Sequence, residues 1–151
     1  MAGPPPEYHL RPARKDESAA LYAIHRAAME RYVAETWGAW DDAFQQRFWE
    51  SHWPPERQAI EVDGELAGFL ELEARPESTW VGNLELDPRF HGHGIGSAIL
   101  REVQREAASR GLGVTRQVLK VNPARRLYER LGFCETGADD THYQMAWEAN
   151  Q

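Results

Sequence analysis

The spacing of apolar residues changes repeatedly along this chain, and each change predicts a different element. His9-Leu10-Arg11 reads as a short first strand. Asp16 or Ser18 can cap a helix, and Leu21, Ile24 and Ala28 follow at helical spacing, which predicts a helix to about Val33. Thr36-Trp37-Gly38-Ala39-Trp40 interrupts it. Asp41 or Asp42 starts a second helix with Phe44, Phe48 and Trp49 on one side, stopped by Pro54-Pro55, which have no N–H to donate. The pattern then turns to strands. Gln58 to Val62, the Asp63-Gly64 turn and Leu66 to Leu72 predict a hairpin, since Asp-Gly suits a tight two-residue loop. Trp80 to Leu86 predicts a further strand, ended by Asp87-Pro88. The segment from His91 to Gly96 opens a helix with Ile95, Ile99, Val103 and Ala107 on one stripe, and Gly111 to Gly113 ends it. Val114 to Val121 is strand-like. Ala124 to Leu131 is a short helix closed by Gly132, and Phe133 and Tyr143–Trp147 suggest two final strands. The order β, α, α, β, β, β, α, β, α, β, β predicts an α/β protein with a mixed sheet covered by helices.

Composition adds bounds. The 151 residues, 42% hydrophobic and 27% charged, fit one soluble domain, expected over 8–148 behind a flexible leader, 1–7. No apolar run approaches the roughly 18–20 residues of a membrane helix, and the opening residues lack the basic and apolar regions of a secretory signal. One cysteine, Cys134, permits no internal disulfide, makes a reducing cytoplasm the default, and reads as a packed thiol after Phe133. The net charge of −7 disfavours nucleic-acid binding. Its distribution is uneven: residues 1–90 carry −8 and residues 101–130 carry +5. That asymmetry suits a cationic ligand and a phosphorylated one; it equally describes two solvated faces. The six histidines, at 9, 25, 52, 91, 93 and 142, form no metal pattern.

The most informative stretch is Leu84-Glu-Leu-Asp-Pro-Arg-Phe-His-Gly-His-Gly-Ile-Gly-Ser97. Glycines at 92, 94 and 96 leave backbone N–H groups unobstructed and permit positive φ. They lie where a strand hands over to a helix N-terminus, which gathers donors and the positive end of the helix dipole as a pyrophosphate requires. A Walker loop is excluded for want of its lysine, and a dinucleotide fingerprint would need glycine at Ser97. A plain glycine-rich turn without ligand is the alternative.

This strand, Asp-Pro and X-Gly-X-Gly-Ile-Gly loop resemble the pyrophosphate loop of the GNAT superfamily of acyl-CoA-dependent N-acyltransferases. Asn122-Pro-Ala-Arg-Arg-Leu-Tyr-Glu-Arg-Leu-Gly-Phe133 resembles the family's second signature, in the right order and separation. The likeness spans roughly residues 8–148. It differs in carrying His91 where the family usually has Arg or Gln, and in an Asn122-to-Tyr128 spacing one residue shorter than the commonest form. The resemblance implies a GNAT-like fold, a central mostly antiparallel sheet with helices on both faces, and acetyl-CoA as co-substrate with no metal. It places acetyl-CoA where the strand ending at Leu86 splays from the strand ending at Val121. Leu86 would offer backbone groups to the thioester. His91, Gly92, His93, Gly94, Ile95, Gly96 and Ser97 would hold the pyrophosphate, the His91 contact being weaker and pH-dependent. Asn122 would join the cofactor site. Arg89, Arg125 or Arg126 would reach the ribose phosphate or would be ordinary surface arginines.

The implied reaction is attack of a neutral primary amine on a thioester, so a base or water chain must deprotonate the amine and an acid must protonate the thiolate. Tyr128 stands where the family places that acid; the alternative is packing in an amphipathic helix. For the base, Glu85 and Glu71 are candidates, with Glu73. The alternative for each is an alternating strand whose polar face meets water, or a water relay with no dedicated base. The acceptor pocket would be shaped by the first two helices, where Tyr32, Glu35, Trp37, Trp40, Asp41 and Asp42 gather aromatic faces and carboxylates suited to a cationic amine. Trp49 and Trp53 are expected in the core, while Trp37 and Trp40 fit a pocket wall and a core position equally. The expected partner is a small-molecule or peptidic amine, with no nucleic acid and no membrane; a homodimer is compatible with the fold. Two other readings stay open: a non-catalytic acyl-CoA sensor, and an interaction domain with no cofactor.

Overall fold

The computed structural model describes residues 6–149. Its elements are β1 (Tyr8–Pro12), α1 (Ser18–Trp37), α2 (Asp42–Ser51), β2 (Gln58–Val62), β3 (Glu65–Ala74), β4 (Ser78–Leu86), α3 (Ile95–Ser109), β5 (Gly113–Leu119), α4 (Arg125–Arg130), β6 (Cys134–Ala138) and β7 (His142–Trp147). Short 3-10 turns lie at Lys15–Glu17 and Pro88–Phe90. The order is that expected from the sequence. The strands form a mixed sheet in the order β1-β2-β3-β4-β5-β7-β6, with β4 and β5 parallel and the β1–β2, β2–β3, β5–β7 and β6–β7 pairs antiparallel. The expected leader falls largely on residues 1–5, outside those described. The described residues form two compact units, 6–71 with 83–95, and 72–82 with 96–149.

In the first unit, Asp63 and Gly64 take φ of 52° and 79°. Two consecutive left-handed residues make the tight hairpin turn that Asp-Gly foretold, and they set β2 against β3. The core gathers Leu21, Ile24, Trp49 and Phe69, with Tyr22, Trp53 and Leu66 packed on it. Helix α1 runs past its expected end near Val33 because nothing before Gly38 breaks it. Gly38, at φ 96°, caps it by donating its N–H to the Ala34 carbonyl at 2.8 Å. Asp41 caps α2 by accepting the Phe44 N–H at 3.1 Å. The expected shared face of α2 does not form. Trp49 is buried, whereas Phe44 and Phe48 are exposed and stack outward, because Trp49 lies 100° round the helix from Phe48.

In the second unit, β4 and β5 pair in register only from Ser78↔Gly113 to Val81↔Arg116. Beyond that point the Arg116 side chain donates to the carbonyls of Val81 and Gly82 at 3.0 and 2.7 Å. The stripe of α3 is buried as expected, with Leu100 added to it. Gly132, at φ 92°, ends α4 and lets the Phe133 N–H reach the Tyr128 carbonyl at 3.0 Å. Phe133 is buried, but Cys134 is exposed and not the packed thiol expected: it opens β6, an edge strand exposed along most of its length.

Candidate active site

The end of β4 is held unusually close to β3. A Cβ built on Gly68 would overlap the Glu85 carbonyl oxygen, so only glycine lets the two backbones approach this far. The Asp87 N–H then donates to the Ala67 carbonyl at 2.7 Å, and the Asp87 carboxylate caps the following turn through the Arg89 N–H at 3.0 Å. The chain leaves that turn at His91. Its ring does not reach outward in place of the Arg or Gln of the resembled loop: Nε2 lies 2.8 Å from the Leu86 carbonyl and folds the side chain back on the strand. Gly92 and Gly94 take φ of 79° and 80°, the conformation their identity allowed. Gly96 does not: it is already helical, and a Cβ there would meet only the Leu127 side chain at 3.5 Å. Ile95 is buried, so the loop is anchored where α3 begins, and the N–H groups of that first turn have no intrahelical acceptor. His93 is exposed and Ser97 half-buried.

The candidate carboxylates separate sharply. Glu73 is exposed and paired with Arg75. Glu71 and Glu85 are both buried, at 9% and 5% exposure, so the expectation of a polar strand face in water fails for them. Glu71 is consumed on both oxygens: Arg57 Nε donates to one at 2.5 Å and Asn83 Nδ2 to the other at 2.7 Å. Arg57 is itself buried, its guanidinium 4.0 Å from the Trp49 ring centroid and 4.7 Å from that of Trp53. Glu85 meets a residue the sequence reading missed. His25 Nδ1, from α1, lies 2.6 and 2.9 Å from its two oxygens. The one available sequence signal was that His25 follows Leu21 by four residues and so shares its inward face.

Of the expected acceptor residues, Trp40 joins this site. Its ring lies 5.6 Å from His25 and 6.4 Å from Tyr22, and its Nε1 donates to Asp42 at 3.3 Å. Asp42 also accepts from Tyr22 at 2.6 Å and pairs with Arg26 at 3.1 Å. Burial, then the hydrogen bond to Asp42, pushes the Tyr22 phenol up to about 12, and the same bond draws the Asp42 carboxyl down. Glu35 and Trp37 are not brought here: both are exposed, and Glu35 pairs with Arg31 one helical turn back at 3.2 Å. Tyr32 is half-buried, and Asp41 serves as the α2 cap.

In the second unit, Tyr128 is buried on the short α4. Phe133 meets its ring edge-on at 5.2 Å, and the Arg116 guanidinium lies 5.8 Å from the centroid. Its hydroxyl makes no hydrogen bond to a described residue, which leaves it free to donate. The Asn122 side chain accepts the Ala124 N–H at 2.9 Å and so shapes the entry to α4. Of the three candidate phosphate arginines, Arg89 pairs with Asp87, and Arg125 with Glu129 and Glu135, while Arg126 is exposed. Among the described residues, no three or more His, Cys, Asp or Glu are grouped to hold a metal, and no helix is long and apolar enough to cross a membrane.

Residues 19–133 match the family model described as Acetyltransferase (GNAT) family. The chain is similar to a streptothricin acetyltransferase of Streptomyces lavendulae, 36% identical over 90 residues, covering 57% of this chain and 48% of the relative. It therefore spans about half the length of that curated relative. Among solved structures, the PaiA N-acetyltransferase of Thermoplasma acidophilum in complex with coenzyme A superposes with a TM-score of 0.75 at 17% identity, over 94% of this chain and 99% of that one. The ribosomal-protein-S18-alanine N-acetyltransferase of Escherichia coli superposes at 0.69 and 21%, over 95% and 94%.

Proposed function

The chain belongs to the acetyltransferase (GNAT) family, and we propose that it moves an acetyl group from acetyl-CoA to a primary amine of a cationic acceptor. The observation that carries this reading is the loop after Leu86. Gly92 and Gly94 hold left-handed backbone and deliver the chain to the open N–H groups at the start of α3, a donor set suited to a pyrophosphate. His91, Gly92, His93, Gly94, Ile95, Gly96 and Ser97 act through their main chain, since the His91 ring is spent on the Leu86 carbonyl. Acetyl-CoA supplies an activated acyl group on sulfur. The Leu86 N–H serves the developing oxyanion, and the Tyr128 hydroxyl protonates the departing thiolate. Asn122 acts by shaping the turn into α4. Glu71 is held by the fixed positive charge of Arg57 and by Asn83, which makes it a poor proton acceptor, so the base role falls to the Glu85 side.

The cationic acceptor is supported by the −8 balance of residues 1–90 and by the grouping of Tyr22, Trp40 and Asp42 beside His25. Aromatic faces and carboxylates attract ammonium groups. The similarity to a streptothricin acetyltransferase makes streptothricin the first acceptor to try.

The test mixes the chain and acetyl-CoA with streptothricin, spermidine, an aminosugar, a basic peptide, and neutral and anionic amines. Thiol release and the mass of the product are read. Cationic amines should be acetylated on nitrogen, with a rate that falls as salt rises. Tyr128→Phe should lower kcat about 100-fold and leave acetyl-CoA binding unchanged. Preference for neutral or anionic amines would remove the cationic acceptor, and an unchanged kcat with chemistry rate-limiting would remove Tyr128 as the acid.

A further inference from the structure

We propose that His25, not Glu85, takes the proton from the acceptor amine, and that Glu85 is the positioning residue that holds the His25 ring and faces the charge it gains. This deepens the acetyltransferase reading and rests on it. The His25 Nδ1 faces both oxygens of Glu85, at 2.6 and 2.9 Å. A carboxylate can only accept, so Nδ1 carries a proton, and in the neutral ring the lone pair is on Nε2. That second nitrogen has no hydrogen-bond partner among the described residues. Exposure divides the labour in the same way: the Glu85 side chain is 4% exposed and that of His25 is 21% exposed. The carboxylate is shielded behind the ring, and the ring is the member that a solute can reach.

The imidazole is also fixed in place. It stacks on Trp49 at 5.5 Å with 22° between planes, and Trp40, Tyr22 and Phe69 close around it at 5.6, 6.3 and 6.3 Å. A base held in one orientation by packing and by a second hydrogen bond is the arrangement that proton transfer needs. The charged or titratable groups grouped around the ring are Tyr22 and Asp42, bonded to each other, Arg26, paired with Asp42, and Arg57 with Glu71, paired to each other. Each has its partner, and the unpartnered Nη1 of Arg57 carries only N–H, which leaves Nε2 of His25 as the nitrogen of this group able to accept a proton.

In the step, Nε2 of His25 takes one proton from the acceptor's ammonium group and becomes imidazolium against the Glu85 carboxylate. The freed nitrogen lone pair forms the C–N bond to the thioester carbonyl. The C–S bond then breaks, its electron pair leaves with sulfur, and sulfur gains a proton as the nitrogen gives up its second one. The imidazolium returns its proton to solvent.

The experiment uses the full chain, acetyl-CoA and whichever amine of the panel above turns over fastest. His25→Gln and Glu85→Gln should each lower kcat/KM about 100-fold or more near neutral pH. The double variant should be little worse than either, because the two residues act as one unit. The His25→Gln deficit should shrink about tenfold for each pH unit towards the acceptor's own pKa, near 10.4 for a lysine-like amine, since solvent then supplies the free base. Added imidazole should restore part of the rate of His25→Ala. A deficit independent of pH, with no imidazole rescue, would make the pair structural and overturn the proposal. So would a near-normal His25→Gln beside a dead Glu85→Gln, which would make the carboxylate the base. Acetyl-CoA binding by calorimetry reports separately on the function proposed above and should be unchanged in all these variants.

Discussion

Two buried glutamates in the same unit, Glu71 on β3 and Glu85 on β4, look alike in the sequence and behave differently in the fold. Glu71 faces Arg57, a cation that cannot give up its proton, and a donated amide from Asn83. Glu85 faces His25, a partner that can exchange one. The burial is nearly equal, 9% against 5%, so burial does not decide what each carboxylate does. The partner decides it. A guanidinium locks a charge in place and yields structure; an imidazole leaves a charge that chemistry can use.

Removing each carboxylate should separate the two roles on the stability axis. Glu71→Ala strands Arg57, which is 4% exposed and already has Nη1 buried without a hydrogen-bond partner. A guanidinium cannot neutralise itself, so the loss should be about 3–5 kcal/mol, the scale for breaking a buried pair. Glu85→Ala leaves an imidazole whose Nδ1 can turn to water, and should cost only about 1–2 kcal/mol, one hydrogen bond. Urea midpoints measure both. Equal losses would mean that the guanidinium and the imidazole hold their carboxylates in the same way.

The contrast can be sharpened at Gly68. This glycine is required by the close approach of β3 to the Glu85 carbonyl, and its φ is not left-handed. Gly68→Ala must push two backbones apart, since the blocking atoms are main chain and cannot rotate away. Overpacking of this kind costs about 1–3 kcal/mol. The displacement falls at Glu85 itself, so acetyl transfer should slow along with the fall in urea midpoint. A wild-type midpoint and rate would show that the strands adjust freely there.

What could be read from the sequence follows from how local each signal is. Asp63-Gly64 fixes its hairpin through two residues, and the α3 stripe is carried by a single period; both are legible. The left-handed Gly92 and Gly94 are legible for the same reason, while Gly96 is helical and shows that a glycine run does not say which member needs the freedom. The His25–Glu85 pair joins residues sixty positions apart, and no periodicity encodes which buried carboxylate will meet an arginine and which a histidine. Cys134 failed through its place on the outermost strand, which depends on sheet order and not on its neighbours. Phe44 and Phe48 failed because an apolar pair one turn apart on a short helix does not say which side faces the core.

A third carboxylate extends the comparison and gives the smallest effect. Glu17 stands between the two cases: it is held by an arginine, like Glu71, but the Arg11 side chain remains 21% exposed. The Arg11 guanidinium donates to both oxygens at 2.9 and 2.6 Å, and the Arg14 backbone N–H donates at 2.9 Å. These bonds, Arg11 first, outweigh the cost of burial and hold the Glu17 carboxyl at about 2, below the ordinary 4.5. A carboxyl whose value is lower in the folded chain binds its proton more readily when unfolded, so its stabilisation is complete above pH 4.5 and is lost as pH falls through about 2. The urea midpoint should therefore decline across that interval, and Glu17→Gln should flatten that part of the curve while lowering the plateau near neutral pH. Because Arg11 can turn to water and to Glu61, 3.3 Å away, the plateau should drop less than in Glu71→Ala. An acid limb unchanged by Glu17→Gln would move the acid sensitivity to other carboxylates, such as Asp139, drawn down by the N–H groups of Thr141 and His142.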